Sequence, residues 1–328
     1  MKDKTKRIFK ILGCTAAALT SVTGAVGAAY AGAKFIVKEA VDKEEPKAMK
    51  EYKSRMAVRY FGQDFLDALA DAEKELINTP TETVEITAYD GIKLVGHFYP
   101  CKNAERTIIA MHGWRSRWSL DFSLVYKFLI DSGCNVLFVS QRGQGGESES
   151  EYMGFGMIER YDCLEWIKFI NQKVSPNLPI YLYGISMGAA TVLMATGFEL
   201  PSNVSGIIAD CGFTCAKDIW KTVSKENFHI NYQLFDALGN EFLKQKINMS
   251  NDEYSAVTAM EQCKIPVLFI HGADDHLVPI SMTYENYRAC VAPKRLLVVP
   301  YADHGMSYYV DKTAYENAVK DFFEDYDK

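Results

Sequence analysis

Gly184-Ile185-Ser186-Met187-Gly188 reads G-x-S-x-G, and its flanks decide how the chain folds. Ahead of it stands the short apolar run Ile180-Tyr181-Leu182-Tyr183, which reads as a buried strand. Behind it comes Ala189-Ala190-Thr191-Val192-Leu193-Met194-Ala195, small and apolar enough for a helix lying against a sheet. So sharp a strand-to-helix turn pushes its middle side chain into strained, exposed geometry. The two glycines leave open the space that a Cβ would fill. Alone, the pattern also fits a glycine-rich structural turn; in this setting it points to a nucleophile at Ser186.

A serine hydroxyl attacks well only when a base takes its proton and a third group orients that base. An elbow of this kind calls for an acid and then a histidine, both downstream. The strand-like run Val267-Leu268-Phe269-Ile270 leads into His271-Gly272-Ala273-Asp274-Asp275-His276-Leu277-Val278-Pro279, where Asp274 and Asp275 both offer a carboxylate. A further run, Leu296-Leu297-Val298-Val299, leads into Pro300-Tyr301-Ala302-Asp303-His304-Gly305 and supplies His304 as the base. The other histidines fit less well. His271 closes a strand and precedes the acid, and His276 follows the acid directly and reads as a loop residue. His97 and His229 read as ordinary polar or packed side chains. Asp303 adjoins His304, and sequence neighbours rarely present their side chains to each other in the needed geometry.

Taken together, these stretches resemble the α/β-hydrolase superfamily, from about residue 82 to the C-terminus. In many of its members the acid loop reads H-G-x-x-D-x-x-V-P, which matches His271 to Pro279 and selects Asp275 over Asp274. Ala110-Met111-His112-Gly113-Trp114 resembles the family's oxyanion loop, and Arg142-Gly143-Gln144-Gly145-Gly146-Glu147-Ser148 its R-G-x-G-x-S loop. The likeness is greatest to bacterial serine-aminopeptidase and Bem46-like hydrolases. It implies an oxyanion hole made by the backbone N–H of Trp114 and that of Met187, the residue after the nucleophile. The alternative reading of His112-Gly113 is a tight turn that ends a strand. The Gly143–Gly146 cluster lacks the Lys-Ser or Lys-Thr of a phosphate loop and reads as scaffold.

The rest of the chain agrees with an α/β fold. Hydrophobic residues make up 48% of 328, enough for a large single core. Strand-like runs at 107–111, 135–140 and 180–183 alternate with helical stretches at 122–130, 158–170 and after the elbow. Such alternation implies a mostly parallel sheet covered on both faces. Val84–Thr87 and Ile92–Val95 flank Asp90-Gly91 as a hairpin. Tyr315, Val319, Phe322 and Phe323 have the spacing of a helix packed on that sheet. More than fifty residues separate the strand at 204–209 from that starting near Val267, so residues 213–262 are expected to form a helical lid. Its aromatics, Phe213, Trp220, Phe228, Tyr232, Phe235 and Phe242, either line an acyl pocket over Ser186 or form the lid's own core.

The N-terminus reads separately. Lys2, Lys4, Lys6, Arg7 and Lys10 precede a charge-free run from Ile11 to Ala33, which as a helix at ~1.5 Å per residue spans a ~30 Å hydrocarbon core. Ala29-Tyr30-Ala31 also fits a signal-peptide cleavage site. Residues 1–37 are therefore expected to be a membrane anchor or a signal segment that leaves the catalytic part outside the cytoplasm. Residues 38–80 are expected to be a helical linker, with Tyr52, Met56, Tyr60, Phe61, Phe65 and Leu69 on amphipathic faces, and residues 81–328 the catalytic domain. Eight cysteines show no disulfide framework, and Cys211 and Cys215 lack the second cluster of a zinc site. A net charge of −6 without a basic face argues against nucleic acid.

The expectation is a serine hydrolase of an ester, thioester or amide, needing neither metal nor organic cofactor, with a small acyl or peptidyl substrate. A short-peptide peptidase and a catalytically silent binding fold are the alternatives.

Overall fold

The computed structural model describes residues 27–44, 58, 61–228 and 232–327. Among the described residues, helices α1 (27–41) and α2 (Gln63–Asn78) precede the sheet. The strands are β1 (Glu82–Thr87), β2 (Lys93–Tyr99), β3 (Arg106–Met111), β4 (Cys134–Ser140), β5 (Ile180–Ile185), β6 (Val204–Asp210), β7 (Val267–Gly272) and β8 (Lys294–Val299). They form one sheet in the order β1-β2-β4-β3-β5-β6-β7-β8. β1, β2 and β4 pair antiparallel, and every pairing from β4 to β8 is parallel.

The apolar runs become strands because both faces of the sheet are covered. Every residue of β3, β4, β5 and β7 is buried, as a parallel sheet between helix layers requires. Alternate residues serve opposite layers. Ile109, Met111, Leu137, Val139, Leu182 and Ile207 join a core with α5 (Glu159–Lys173) and α6 (Met187–Ala195); Ile108, Ala110, Val136, Phe138, Tyr183 and Ile208 face the other way. That second layer is closed by Leu76 of α2, by Phe122 and Leu129, and by Tyr315, Val319, Phe322 and Phe323 of the C-terminal helix (Lys312–Tyr326).

Of the expected helix at 122–130 only Tyr126–Ile130 is helical, in α4 (Tyr126–Asp131), and a second short helix, α3 (Trp118–Asp121), lies ahead of it. Between them the Ser123 hydroxyl donates to Leu120 O at 2.8 Å, a side-chain bond that competes with helix continuation. The long interval between β6 and β7 carries helices at Ala216–Phe228, Asp236–Ile247 and Ala256–Met260. Phe213, Trp220, Tyr232 and Phe242 are buried in the same apolar cluster as β5 and α6, so these aromatics are core rather than the walls of an open pocket.

The end of the charge-free N-terminal run also packs on the protein. Ala33, Val37, Ala40 and Val41 of α1 are buried, and Phe235 lies against Gly32. Among the described residues no helix is long and apolar enough to cross a membrane. The earlier part of that run, the linker residues Tyr52, Met56 and Tyr60, and His229 lie outside the described residues.

Order reverses around β3, which has β4 on one side and β5 on the other. Loops leaving the carboxyl ends of β3 and β5 therefore diverge and open a crevice there, the usual ligand position in such sheets.

Candidate active site

Ser186 sits between β5 and α6 at φ 56°, ψ −116°, a left-handed backbone that costs a non-glycine residue about 1–3 kcal/mol. Its own N–H donates to Asp210 O on β6 at 2.8 Å, which fixes the turn. The flanking glycines are demanded by contact. A Cβ on Gly188 would stand 1.8 Å from Met111 O at the end of β3, and one on Gly184 2.2 Å from the Gly188 carbonyl carbon. The close helix–strand approach is what presents the hydroxyl above the sheet edge.

His304 lies in the loop after β8, and its ring bridges two of the expected partners. Nε2 is 2.9 Å from Ser186 Oγ, and Nδ1 is 2.8 Å from Asp275 Oδ2. With a carboxylate facing Nδ1, that nitrogen carries the proton, and Nε2 accepts from the serine hydroxyl. Burial alone would lower the His304 pKa, but the adjacent Asp275 carboxylate raises it well above 6.5. The Asp275 carboxyl, which burial alone would raise, is held below the usual range by His304 and His271. Asp274 is exposed, and only its backbone N–H is engaged, donating to Ala302 O at 3.0 Å.

The loop after β3 lies against the nucleophile: a Cβ on Gly113 would be 3.2 Å from Ser186 Cβ. Gly113 N–H donates to Asp121 Oδ2 at 2.6 Å and Arg115 N–H to Gln144 Oε1. These bonds fix the 112–113 and 114–115 peptides, and Gly113 O, in the peptide that carries the Trp114 N–H, lies 2.9 Å from His112 Nδ1. Met187 opens α6, where an N–H has no intrahelical acceptor. The structure thus brings Ser186, Asp275, His304, the Trp114 loop and Met187 to one end of the sheet.

Several contributors escaped sequence reading. His271, set aside there as a base, is buried beneath Asp275, with Nε2 3.1 Å from Asp275 Oδ2 and 2.9 Å from Val278 O. Its Nε2–H, facing only these two oxygens, donates to them and holds the acid in place. Asp303 does not serve the His304 ring; it accepts His304 N–H at 2.7 Å and His276 N–H at 2.9 Å, joining the two loops. His97 stacks on Trp118 and bonds Glu147 at 3.0 Å, a packed histidine as expected. Gln144, in the loop read as scaffold, turns out to hold the Trp114 loop.

Cys211 Sγ, the Asp275 carboxylate and the His304 ring lie within 4.8 Å of one another, the one group among the described residues able to ligate a metal ion. Burial pushes that thiol up to about 11, so near neutral pH it is a thiol and not a ready ligand. Cys211 and Cys215 are both free thiols, and Cys215 Sγ contacts Asp218 at 3.2 Å. A cleft lined by Tyr89, Asp90, Arg142 and Lys246 contains none of the three candidate catalytic residues. Its Arg142 is already committed to Asp90 and Asp162.

Known proteins resemble this chain in sequence and in fold. A family model described as serine aminopeptidase, S33, matches residues 102–224. The Bacillus subtilis protein YqkD is 27% identical over 263 residues, 80% of this chain and 83% of its own length. A mouse protein, lysophosphatidylserine lipase ABHD12, is 28% identical over 173 residues, 52% of this chain and 41% of its own. Among solved structures, the Pyrococcus furiosus esterase Pf2001 superposes with a TM-score of 0.62 at 23% identity, over 78% of this chain and 96% of that one.

Proposed function

We propose that this chain, a member of the α/β-hydrolase superfamily, is a serine hydrolase acting on carboxylic esters through an acyl-enzyme. The observation that carries the reading is the His304 ring, in hydrogen-bond contact with Ser186 Oγ at 2.9 Å and Asp275 Oδ2 at 2.8 Å. In the reaction, Nε2 removes the serine proton as Oγ attacks the carbonyl carbon. Asp275 holds the ring in the tautomer this needs and stabilises the imidazolium that forms. The carbonyl oxygen becomes an oxyanion, received by the Trp114 and Met187 N–H groups. His304 then gives its proton to the departing alkoxide. Water, deprotonated by the same nitrogen, attacks the acyl carbon and releases the acid and free Ser186.

Esters are favoured because the solved neighbour and the curated relative are described as an esterase and a lipase. Peptidase action on short peptides is the second reading, supported by the family model's description. We also propose that the N-terminal segment attaches the enzyme to a membrane with the catalytic part outside the cytoplasm. Its support is the basic cluster from Lys2 to Lys10 ahead of the charge-free run.

Covalent labelling with a fluorophosphonate probe tests the chemistry, on the full chain and on Ser186→Ala and His304→Ala. Labelling confined to the parent is expected. Labelling that survives Ser186→Ala would remove the nucleophile assignment, and a folded parent that neither labels nor hydrolyses p-nitrophenyl esters would favour a silent binding fold.

A further inference from the structure

The loop that carries Trp114 is tied to the N-terminal helix. Trp114 Nε1–H donates to Ala40 O at 2.8 Å. The Arg115 guanidinium donates from Nη2 to Glu39 O and to Asp42 O, each at 2.8 Å, and from Nε to Glu39 O at 3.2 Å. These carbonyls lie at and just beyond the last turn of α1, where C=O groups lack intrahelical partners and the helix dipole favours a cation. A planar guanidinium suits the task because its donors fan out in one fixed fork.

α1 is itself a fixed point. Its Val37 and Val41 are fully buried, Val41 O accepts Met153 N–H at 2.8 Å, and Lys43 N–H donates to Glu151 O at 2.9 Å. The Asp42 carboxylate pairs with Lys246 at 2.6 Å. At the other end of the link, Arg115 is held at φ 51°, a left-handed backbone that a side-chain-bearing residue adopts only when its surroundings impose it.

We propose that Arg115, anchored on the end of α1, is a positioning residue that holds the Trp114 N–H where the oxyanion develops. The N-terminal helix is then part of the catalytic apparatus. The inference rests on the serine-hydrolase reading above. The Arg115 guanidinium bonds run to Glu39 O and Asp42 O at the end of α1 and not to the triad, so its effect is expected on transition-state binding and appears in kcat, not KM.

An oxyanion donor displaced by about 1 Å can lose ~10²-fold in rate. Arg115→Ala is therefore expected to lower kcat by ~10- to 100-fold, with KM changed by less than about threefold. Arg115→Lys should recover only part, because an ammonium is a point charge and cannot span these carbonyls. Val37→Asp attacks the same link from the other side, forcing a charge into the buried face of α1. It should reproduce the kcat loss without altering any loop residue.

The experiment compares the full chain and these variants in p-nitrophenyl butyrate hydrolysis, with hydrogen exchange of peptides spanning residues 112–116. Faster exchange there, together with the kcat loss in Arg115→Ala and Val37→Asp, is expected. Both variants keeping parental kcat and parental exchange would overturn the inference, as would a lowered melting temperature with neither change. Should the parent show no Ser186-dependent turnover, the serine-hydrolase reading fails; the exchange arm still decides whether α1 holds the loop, and unchanged exchange rejects it.

Discussion

Replacing Asp275 by Asn tests the candidate triad at its most specific point. Asp275 Oδ1 accepts two backbone N–H groups, from Leu277 at 2.9 Å and Val278 at 2.8 Å. An asparagine must keep its oxygen on that side or oppose two donors with two more. Its NH2 then faces His304 Nδ1, which has to become the acceptor. The proton moves to Nε2, and the ring can no longer take one from Ser186. In a serine protease the same change of tautomer costs about 10⁴ in kcat, or about 5.4 kcal/mol of transition-state stabilisation, and a loss of that order is expected here. Asp274 is exposed and its carboxylate has no bond in the site, so Asp274→Asn should stay within about twofold of the parent. Initial rates on a p-nitrophenyl ester, with active sites counted by fluorophosphonate titration, give both numbers. Equal losses in the two variants, or a greater loss in Asp274→Asn, would refute the assignment of the acid.

The pH profile follows from the same contact. Protonated His304 cannot act as base, so kcat/KM rises with pH through its pKa. Because Asp275 lifts that pKa despite burial, the half-rise should fall above pH 6.5, and a half-rise below that value would contradict it. Gly188→Ala should cost at least about 4 kcal/mol in urea unfolding or prevent folding, since the new methyl meets backbone at Met111 O; a near-neutral result would mean α6 does not approach β3 so closely. Arg142 is buried between Asp162, at 2.6 Å from Nε, and Asp90, at 2.7 Å from Nη1. Arg142→Ala strands the buried Asp162 carboxylate, and an expected loss of about 3–5 kcal/mol would show as a lowered denaturant midpoint.

What could be read in the sequence was whatever depends on local pattern. Strands covered on both faces leave unbroken apolar runs, so β3 to β7 stood out, and the turns after β5 and β7 carried Ser186 and Asp275; the half-buried β8 also keeps an apolar run, and His304 follows it. Contact requirements were legible too, where a glycine is forced: nothing with a Cβ fits at 184 or 188. The helical insertion between β6 and β7 was legible only as an interval. Its aromatics had helical spacing whether they walled a pocket or filled a core, and periodicity records burial, not what a side chain is buried against. The break between Trp118–Asp121 and Tyr126–Asp131 left no mark in the apolar pattern.

The supporting residues were illegible for a further reason: each acts through contacts set by how loops fold and not by a helix or strand period, so no local rule marks it. His271 was set aside because a base belongs after the acid, and that logic remains sound. Its actual contact is with Asp275, four residues on, across a loop that folds back over the strand end. Asp303 was dismissed as too near His304, and its carboxylate indeed serves backbone and His276 instead of the ring. The helix at 27–41 looked like the tail of a membrane segment because alanine and glycine suit close packing against protein as well as lipid. Only its docking distinguishes the two, and that is made with residues remote in sequence: Phe235 against Gly32, and Trp114 and Arg115 on its last carbonyls. In both the Asp275 loop and the Trp114 loop, the candidate reactive atoms are announced by motif, while their placement is shared among residues that carry none. Substitutions in that second group should therefore change rates without touching the reacting atoms, and Arg115 offers the clearest measurement of this.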